Sequence, residues 1–383
     1  MADQRPLIVF KGIHYVPYAV NIQKTAEKFG WRILNVSASH DLIPKGANVV
    51  GALISCGLKD SLTQELIKRK IPFVRVGDFP RHFGNGLPSV FIDVEACGNV
   101  AAKYFSERGF NNVACIAGDP WGDTKRIYDK FTNTIEAQGG TCHLLGLKNM
   151  THASGKRNRD IWFANQRNEI VGWLKTLPKP VGLFCFADGL SSRYASFINE
   201  GNLAIPEDVA ILSLGNNAFF CETAIVPISS IEYPWAELWT EAFSYLKGLI
   251  ESTRKENESI FVPPTQVNER QSTDIFAVDD PLVTEGLKFI WKNYTQNIGV
   301  DDLMELTGVS RSTIQRAFKK CLNSGFIEIL INKRFDVAIE MLKKTKFSIA
   351  KISQEVGFNS RHHFHKAFTR KYGMTPLNYR KKL

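Results

Sequence analysis

The last hundred residues contain the same helical pattern twice, about 49 residues apart, and this repeat limits the folds available to the segment. In the first copy a short helix is predicted to end at Gly308, since glycine accepts the positive φ of a helix C-terminus. Ser310 is placed to cap a second helix, in which Ile314 and Phe318 belong to an apolar repeat. The apolar face of the first helix is predicted to contain Val300, Leu303 and Leu306. Two short helices joined by a glycine turn predict a helix-turn-helix.

The second copy spans residues 348–372. Its first helix is predicted to end at Gly357, and Asn359 or Ser360 is placed to cap the helix that follows. The buried face of that helix is predicted to contain Phe364 and Phe368. A further helix is predicted between the copies, over residues 326–344. At 1.5 Å per residue its length is about 28 Å, which suits two units placed near one DNA turn apart, roughly 34 Å.

The net charge of the chain is concentrated in this segment. Residues 281–383 contain 19 Lys and Arg against 8 Asp and Glu, a charge of +11, and the whole chain carries +10. Because basic residues displace counterions from duplex DNA, a polyanion is the expected partner of the segment. The outer faces of the two second helices are predicted to carry Arg311, Ser312, Gln315, Arg316 and Lys319 in the first copy, and Arg361, His362, His365, Lys366 and Thr369 in the second.

These side chains suit a DNA major groove. Arginine can hold guanine O6 and N7 together, and glutamine can hold adenine N6 and N7. The alternative for a single copy is a helical hairpin with a solvated basic face. His362 and His365 also allow a metal-binding interpretation, but no Cys, Asp or Glu beside them on the helix completes a zinc shell. Groove contact is therefore favoured, and no metal or cofactor is expected.

The second copy and the residues after it resemble the signature of the AraC-type transcription regulators. The matching string runs from Ser348 to Arg380 and includes Gly373 and Pro376, and the resemblance covers residues 283–383. It implies contacts to bases by Ser312, Gln315 and Arg316, and by Arg361, His362, His363, His365 and Lys366. The histidines depart from the family, which more often carries Gln, Ser, Tyr or Arg there.

The first 262 residues alternate short apolar runs with helical patterns. Strands are predicted over residues 7–10, 49–54, 73–76, 90–92, 113–116, 181–186 and 209–214, and helices over 18–29, 98–108 and 191–199. This alternation predicts βαβ units and parallel sheets. It leaves open whether the sheets form one large domain or two lobes, in which case Ser229–Pro234 would be a late crossover between them.

Residues 90–114 resemble the core segment of lactose-repressor-type and periplasmic sugar-binding domains, and residues 205–212 and 228–232 are further matches. The resemblance covers residues 5–262 and implies a two-lobed, periplasmic-binding-protein-like α/β sensor with Rossmann-like lobes. With an AraC-type tail, the organisation is similar to that of the xylose operon regulators. Residues 262–274 resemble the junction between the two domains of those regulators. The expected domains are a sensor at 1–262, a linker at 263–280 and an all-α domain with two helix-turn-helix units at 281–383.

Ligands of open α/β sheets bind beyond the carboxyl ends of the strands. The candidate effector residues at such positions are His14, Tyr15, Asp93, Arg126, Asp188 and the pair Asn216 and Asn217, with Tyr15 or Trp121 stacking on an apolar ring face. As alternatives, Asp93 and Asn216 would cap helices, and Tyr15 and Trp121 would pack in the core. Asp188 matches a frequent ligand-binding Asp of the sensor family. Gly215 stands where related sensors often carry an Asp, so the resemblance does not assign a pentose.

Several other classes of protein fit the sequence poorly. The chain lacks a signal-peptide pattern and any apolar stretch of about 18 residues, and its seven cysteines are scattered, which predicts a cytoplasmic protein with free thiols. No dinucleotide, P-loop, hydrolase-elbow or zinc-protease motif supports a cytosolic enzyme, the main alternative. A DNA-repair methyl acceptor would need zinc-binding cysteines near the N-terminus, where Cys56 is the first. The expected function is a sugar-responsive transcription regulator, activator or repressor, with an operator duplex, a small effector, a second copy of the chain and RNA polymerase as partners.

Overall fold

The computed structural model describes residues 6–11, 19–36, 43, 46–55, 60–77, 86–118, 124–147, 156–254, 257–278 and 280–382. These residues form two α/β lobes, each built on a six-stranded sheet, and a helical tail. The two-lobed arrangement expected for the sensor is confirmed. No helix in this part of the chain is long and apolar enough to span a bilayer.

The first lobe contains an all-parallel sheet with the strand order β11-β5-β4-β3-β1-β2. Its strands are β1 (Leu7–Lys11), β2 (Arg32–Asn35), β3 (Val49–Ile54), β4 (Phe73–Gly77), β5 (Ser89–Ile92) and β11 (Ser259–Val262). Helices α1 (Ala19–Lys28), α2 (Ser61–Arg69) and α8 (Trp235–Ile250) belong to this lobe. The inner strands are buried on both faces, which explains why they appear as unbroken apolar runs in the sequence.

The second lobe contains a sheet with the strand order β12-β10-β9-β8-β6-β7, parallel except for the pairing of β10 with β12. Its strands are β6 (Asn112–Gly118), β7 (Thr141–Leu147), β8 (Val181–Phe184), β9 (Val209–Gly215), β10 (Ser229–Glu232) and β12 (Val267–Asn268). Its helices are α3 (Val94–Glu107), α4 (Thr124–Ala137), α5 (Lys156–Thr176), α6 (Asp188–Glu200) and α7 (Ala218–Glu222).

Three segments cross between the lobes in the described part of the chain. The first leads from β5 to α3, the second from β10 to α8, and the third from β11 to β12. The second crossing confirms the prediction that a crossover lies near Ser229–Pro234. Each crossing leaves the carboxyl end of its strand, so these ends of β5, β10 and β11 lie where the two lobes meet.

The tail is entirely helical and is divided between two small cores. Its helices are α9 (Pro281–Asn293), α10 (Val300–Thr307), α11 (Arg311–Leu322), α12 (Phe326–Lys344), α13 (Ile349–Glu355), α14 (Arg361–Tyr372) and α15 (Pro376–Lys382). Gly308 ends α10 with φ 68°, Ser310 caps α11 by accepting the Thr313 N–H, and Ser360 caps α14 by accepting the His363 N–H. These local predictions are confirmed, as are both bounds of α12.

Three expectations from the sequence need correction. Leu306, expected on the buried face of α10, is 51% exposed, because the short helix turns Val300 and Leu303 inward instead. Thr369 was predicted on the outer face of α14, but the residue is half-buried. Its hydroxyl oxygen is buried and has no hydrogen-bond partner in the described residues. The expected linker 263–280 contains β12, and Ser272 is fully buried, its N–H donating to the Pro227 carbonyl at 2.9 Å. Up to residue 278, therefore, this segment packs on the second lobe rather than acting as a free tether.

Candidate nucleic-acid interface and effector cleft

The first candidate reading head is the outer face of α11. Ile314 and Phe318 are fully buried on its inner side, so the opposite side of the helix points away from the core of the tail. That side carries the predicted DNA-binding residues, all of which are exposed: Arg311, Ser312, Gln315, Arg316 and Lys319. Arg311 donates to Asp301 Oδ1 at 2.6 Å, but both side chains are more than half exposed, and such pairs contribute little stability. Arg311 can therefore exchange this carboxylate for a phosphate.

The second candidate head is the outer face of α14. Phe364 and Phe368 are fully buried against Phe335 of α12, with ring centroids 6.0 Å and 5.4 Å away. The opposite side carries the five predicted residues, again all exposed: Arg361, His362, His363, His365 and Lys366. In the described part of the chain no group of three His, Cys, Asp or Glu side chains is placed to hold a metal ion. His362 and His365 thus face solvent and a partner, whereas the exposed His363 ring also packs edge-on to Phe358, with ring centroids 5.7 Å apart.

Arg334 of α12 holds the two heads together. Its guanidinium is buried and donates to the carbonyl oxygens of Tyr294 at 2.8 Å and Gln296 at 2.6 Å, in the turn before α10. Burial lowers the pKa of Arg334. The same turn touches the second unit at Gly357, where an added Cβ would lie 2.8 Å from the Thr295 carbonyl oxygen. Both heads therefore contact the same turn, which joins them.

Asp188 is the first residue of α6 and follows the end of β8 by four residues, on the carboxyl side of the sheet where an effector residue was predicted. Its side chain is 5% exposed: Oδ2 accepts the Asn217 N–H at 2.7 Å and Oδ1 accepts the Ser230 hydroxyl at 2.7 Å. Burial raises the pKa of Asp188, although the hydrogen bonds from Asn217 and Ser230 oppose this shift. In this conformation the carboxylate holds the turn between β9 and α7 in place.

Gly215 ends β9 directly beside that carboxylate. Its φ is +122°, and an added Cβ would lie 2.9 Å from Asp188 Oδ2 and 3.8 Å from the Tyr233 ring. Any other residue would be strained in its backbone and crowded by the carboxylate. This explains physically why the chain has no Asp at this position: the space is filled from Asp188.

Asn216 and Asn217, in the turn after β9, have different structural roles. Asn217, not Asn216, caps α7 by accepting the Phe219 N–H. Asn216 has φ +54°, and its Oδ1 accepts a hydrogen bond from Arg270 Nη2 at 3.0 Å. Sequence reasoning missed Arg270 because it belongs to the segment interpreted as a linker, and no local pattern marks it.

The remaining candidates lie at the first turns of α3 and α4 or outside the described residues. Asp93 caps α3 by accepting the Ala96 N–H at 3.0 Å, the structural role weighed for it from the sequence. Arg126 donates to Glu95 Oε1 at 2.7 Å, and both side chains are about half exposed. His14, Tyr15 and Trp121 fall outside the described residues. The structure therefore brings Asp188 and Asn216 together, and joins the α3 and α4 N-termini through Glu95 and Arg126.

Family models match both parts of this architecture. Residues 303–382 match a helix-turn-helix domain, and residues 102–273 match the periplasmic binding protein-like domain. The chain thus combines a helix-turn-helix domain of the AraC type with a periplasmic binding protein-like domain, and in this it is similar to the xylose operon regulatory proteins.

Curated relatives extend along most of the chain. The xylose operon regulatory protein of Haemophilus influenzae is 25% identical over 334 residues, 84% of this chain and 82% of that protein. The protein of the same name from Escherichia coli strain K12 is 27% identical over 331 residues, 83% and 81% of the two chains. Both relatives are named as regulatory proteins of the xylose operon.

Solved structures show the same fold. The xylose-binding transcription activator xylR superposes with a TM-score of 0.58 at 22% identity, covering 100% of this chain and 99% of the other. A complex of the transcriptional regulator CelR with cellobiose superposes with a TM-score of 0.53 at 17% identity, covering 70% and 84%. At these identities the likeness concerns the fold alone.

Proposed function

We propose that this chain is a sugar-responsive transcription regulator, in which an effector bound between the lobes controls how α11 and α14 bind an operator of a sugar-catabolism operon. One observation carries the proposal: two exposed basic faces lie on one helical tail, whose units share the turn bound by Arg334, and this tail is joined to a two-lobed sensor. The names of the relatives, both xylose operon regulatory proteins, support a sugar as the effector.

The two heads divide contacts between bases and phosphates. Gln315 and Arg316 occupy the middle of the α11 outer face, where side chains reach base edges, and each good base contact is worth about 1–3 kcal/mol. Lys319 and Lys320 lie in the last turn and meet phosphates, which orient the protein without specifying sequence. The histidines of α14 donate hydrogen bonds to bases or to phosphates in a second groove.

The effector is proposed to contact the carboxyl ends of β8 and β9, near Asp188 and Asn216, with Asp93 and Arg126 at the starts of α3 and α4. Gly215 argues against assigning xylose itself, because the carboxylate at this place comes from Asp188 and is already bonded to Asn217 and Ser230. A non-sugar small molecule is the alternative that this departure favours.

A thermal-shift screen of pentoses, hexoses and sugar acids tests the effector class. A ligand at 100 times its Kd stabilises the sensor by about 2.7 kcal/mol, which is easily measured. A regulator binds such a ligand saturably and releases no product, whereas an enzyme turns it over. If no sugar shifts the melting temperature while another metabolite does, the sugar assignment is wrong.

The action of the effector is proposed to follow linkage. A ligand changes DNA binding only if it binds one arrangement of the reading heads better than another.

We further propose that the chain acts as a homodimer that contacts RNA polymerase, and that the DNA-binding domain begins at α9, which Asp280 caps. Light scattering of the full chain, alone and with operator DNA, tests the dimer.

A further inference from the structure

The sensor and the tail meet in a cluster of charged and aromatic side chains. At the end of α3, Arg108 is 4% exposed, its guanidinium stacks 3.7 Å from the Tyr104 ring, and its Nη2 lies 2.8 Å from Glu269 Oε1. Trp291 of α9 lies between two cations, 5.7 Å from Arg108 and 4.9 Å from Lys333 of α12. Cations at these distances from an indole ring are attracted to it.

Another ion pair joins α3 directly to α12 of the tail. Lys103 Nζ lies 2.5 Å from Asp336 Oδ1 of α12 and 3.3 Å from Glu107 Oε1. Lys333 lies 3.7 Å from Glu269, which also accepts the bond from Arg108. Lys371 faces this cluster from the end of α14. The sensor thus holds α12, the helix between the two reading heads, at two points.

The other end of α3 lies at the effector cleft. The helix begins after Asp93, and its 14 residues at 1.5 Å each separate its ends by about 21 Å. It packs against α4 so closely that an added Cβ at Gly98 would lie 2.6 Å from the Ile127 carbonyl oxygen. At the cleft end Glu95 and Arg126 bind each other across the pair. The two helices are therefore packed as one unit, in which α3 begins at the proposed cleft and ends at the tail.

We propose that the paired helices α3 and α4 transmit the state of the effector cleft to the reading heads, through a docking contact in which Lys103 and Arg108 hold α12 and Trp291. This inference rests on the proposed function. The docking contact orients the heads but does not cover them, because the outer faces of α11 and α14 stay exposed while it is made. Two sites coupled in this way influence each other reciprocally.

Charge reversal tests the docking contact without any effector. Lys103→Glu and Asp336→Lys each place like charges together across the contact, whereas the double variant restores an opposite pair. The control is Lys247→Glu on α8, which changes the net charge equally. Lys247 is 52% exposed against 55% for Lys103, and each lysine has a Glu four residues later. Lys103→Met removes the charge without repulsion, should the reversal disturb folding.

The measurement is amide hydrogen exchange of the full-length variants. We expect exchange to rise at least threefold in α12 and also at the cleft end of the helix pair, around Ala96 and Ile127, in both single variants. The double variant should return both regions to the wild-type rate, and Lys247→Glu should change neither. Binding of a random-sequence duplex should agree within twofold between Lys103→Glu and Lys247→Glu, because the reading faces stay exposed.

Three results would overturn the proposal: unchanged exchange in α12, a change in α12 without one at the cleft end, or a double variant that fails to restore both. A chain that responds to no sugar would refute the proposed function instead. Exchange of the free protein distinguishes the two failures because it needs no effector.

Discussion

Gly357 fixes the spacing of the two reading heads, and its replacement by alanine should be far more costly than the same change at Gly308. Both residues have a left-handed backbone, with φ +85° and +68°. An added Cβ at Gly308 meets nothing within 4 Å, whereas at Gly357 it would lie 2.8 Å from the Thr295 carbonyl oxygen and closer still to that of Tyr294. Both variants strain the backbone, but only Gly357→Ala also crowds the turn at Tyr294 and Thr295. The difference between them therefore measures the effect of that crowding.

The magnitudes follow from these two terms. A non-glycine residue in the left-handed region costs about 1–2 kcal/mol, which is the expected loss for Gly308→Ala. Forcing a methyl group into a packed contact adds about 1–3 kcal/mol, so Gly357→Ala should cost about 2–5 kcal/mol. The turn that must yield also accepts both hydrogen bonds from Arg334, so the heads should change their relative orientation as well.

Hydrogen exchange of the tail amides in the full chain gives the stability, and fluorescence anisotropy with a two-groove duplex gives the DNA affinity. Gly357→Ala should lose at least tenfold more affinity than Gly308→Ala on this duplex. Equal losses in stability and affinity for the two variants would show that the close approach does not set the spacing of the heads.

Three further predictions concern the cleft and the first head. Asp188→Ala should abolish the response to effector and leave basal DNA binding unchanged, because its carboxylate holds the turn at Asn217; wild-type ligand affinity by calorimetry would contradict this. Since burial raises the pKa of Asp188, its contribution to stability should be lost as the pH rises through that pKa, and the pH dependence of melting should weaken in Asp188→Asn; an unaltered profile would show that another group is responsible. Arg316→Ala should weaken operator binding by about 1–3 kcal/mol but random-duplex binding little, whereas Lys320→Ala should weaken both by smaller, similar amounts. Equal losses on both duplexes for Arg316→Ala would assign it to the DNA backbone.

Local chemistry made much of the tail predictable from the sequence. Gly308, Ser310 and Ser360 act within a few residues of their own position, so capping and positive φ are visible in the string itself. The buried faces of α11 and α14 follow from the helical period. Leu306 was assigned wrongly because a helix of eight residues has too few turns for periodicity to identify its buried side.

The contacts that assemble the site depend on residues far apart in the chain. Arg334 binds a turn 38 and 40 residues earlier, and Arg270 binds Asn216 across 54 residues, so neither partner is marked by local pattern. Asp188 was predicted to close its strand, but β8 ends at Phe184 and Asp188 begins α6. Its internal hydrogen bonds depend on how β9 and β10 lie beside it. Strand order and side-chain direction decide such contacts, and sequence periodicity specifies neither.

The central claim is that binding in the cleft changes how the tail binds DNA, and the most direct test measures both on one protein. The operator is a duplex that the protein selects from a random pool, and its affinity is measured by fluorescence anisotropy. The measurement is made with and without a sugar that calorimetry has shown to saturate the sensor. Coupling of about 1–3 kcal/mol predicts a change in Kd of about 5- to 150-fold. An operator Kd that stays the same when the sensor is saturated would contradict the account.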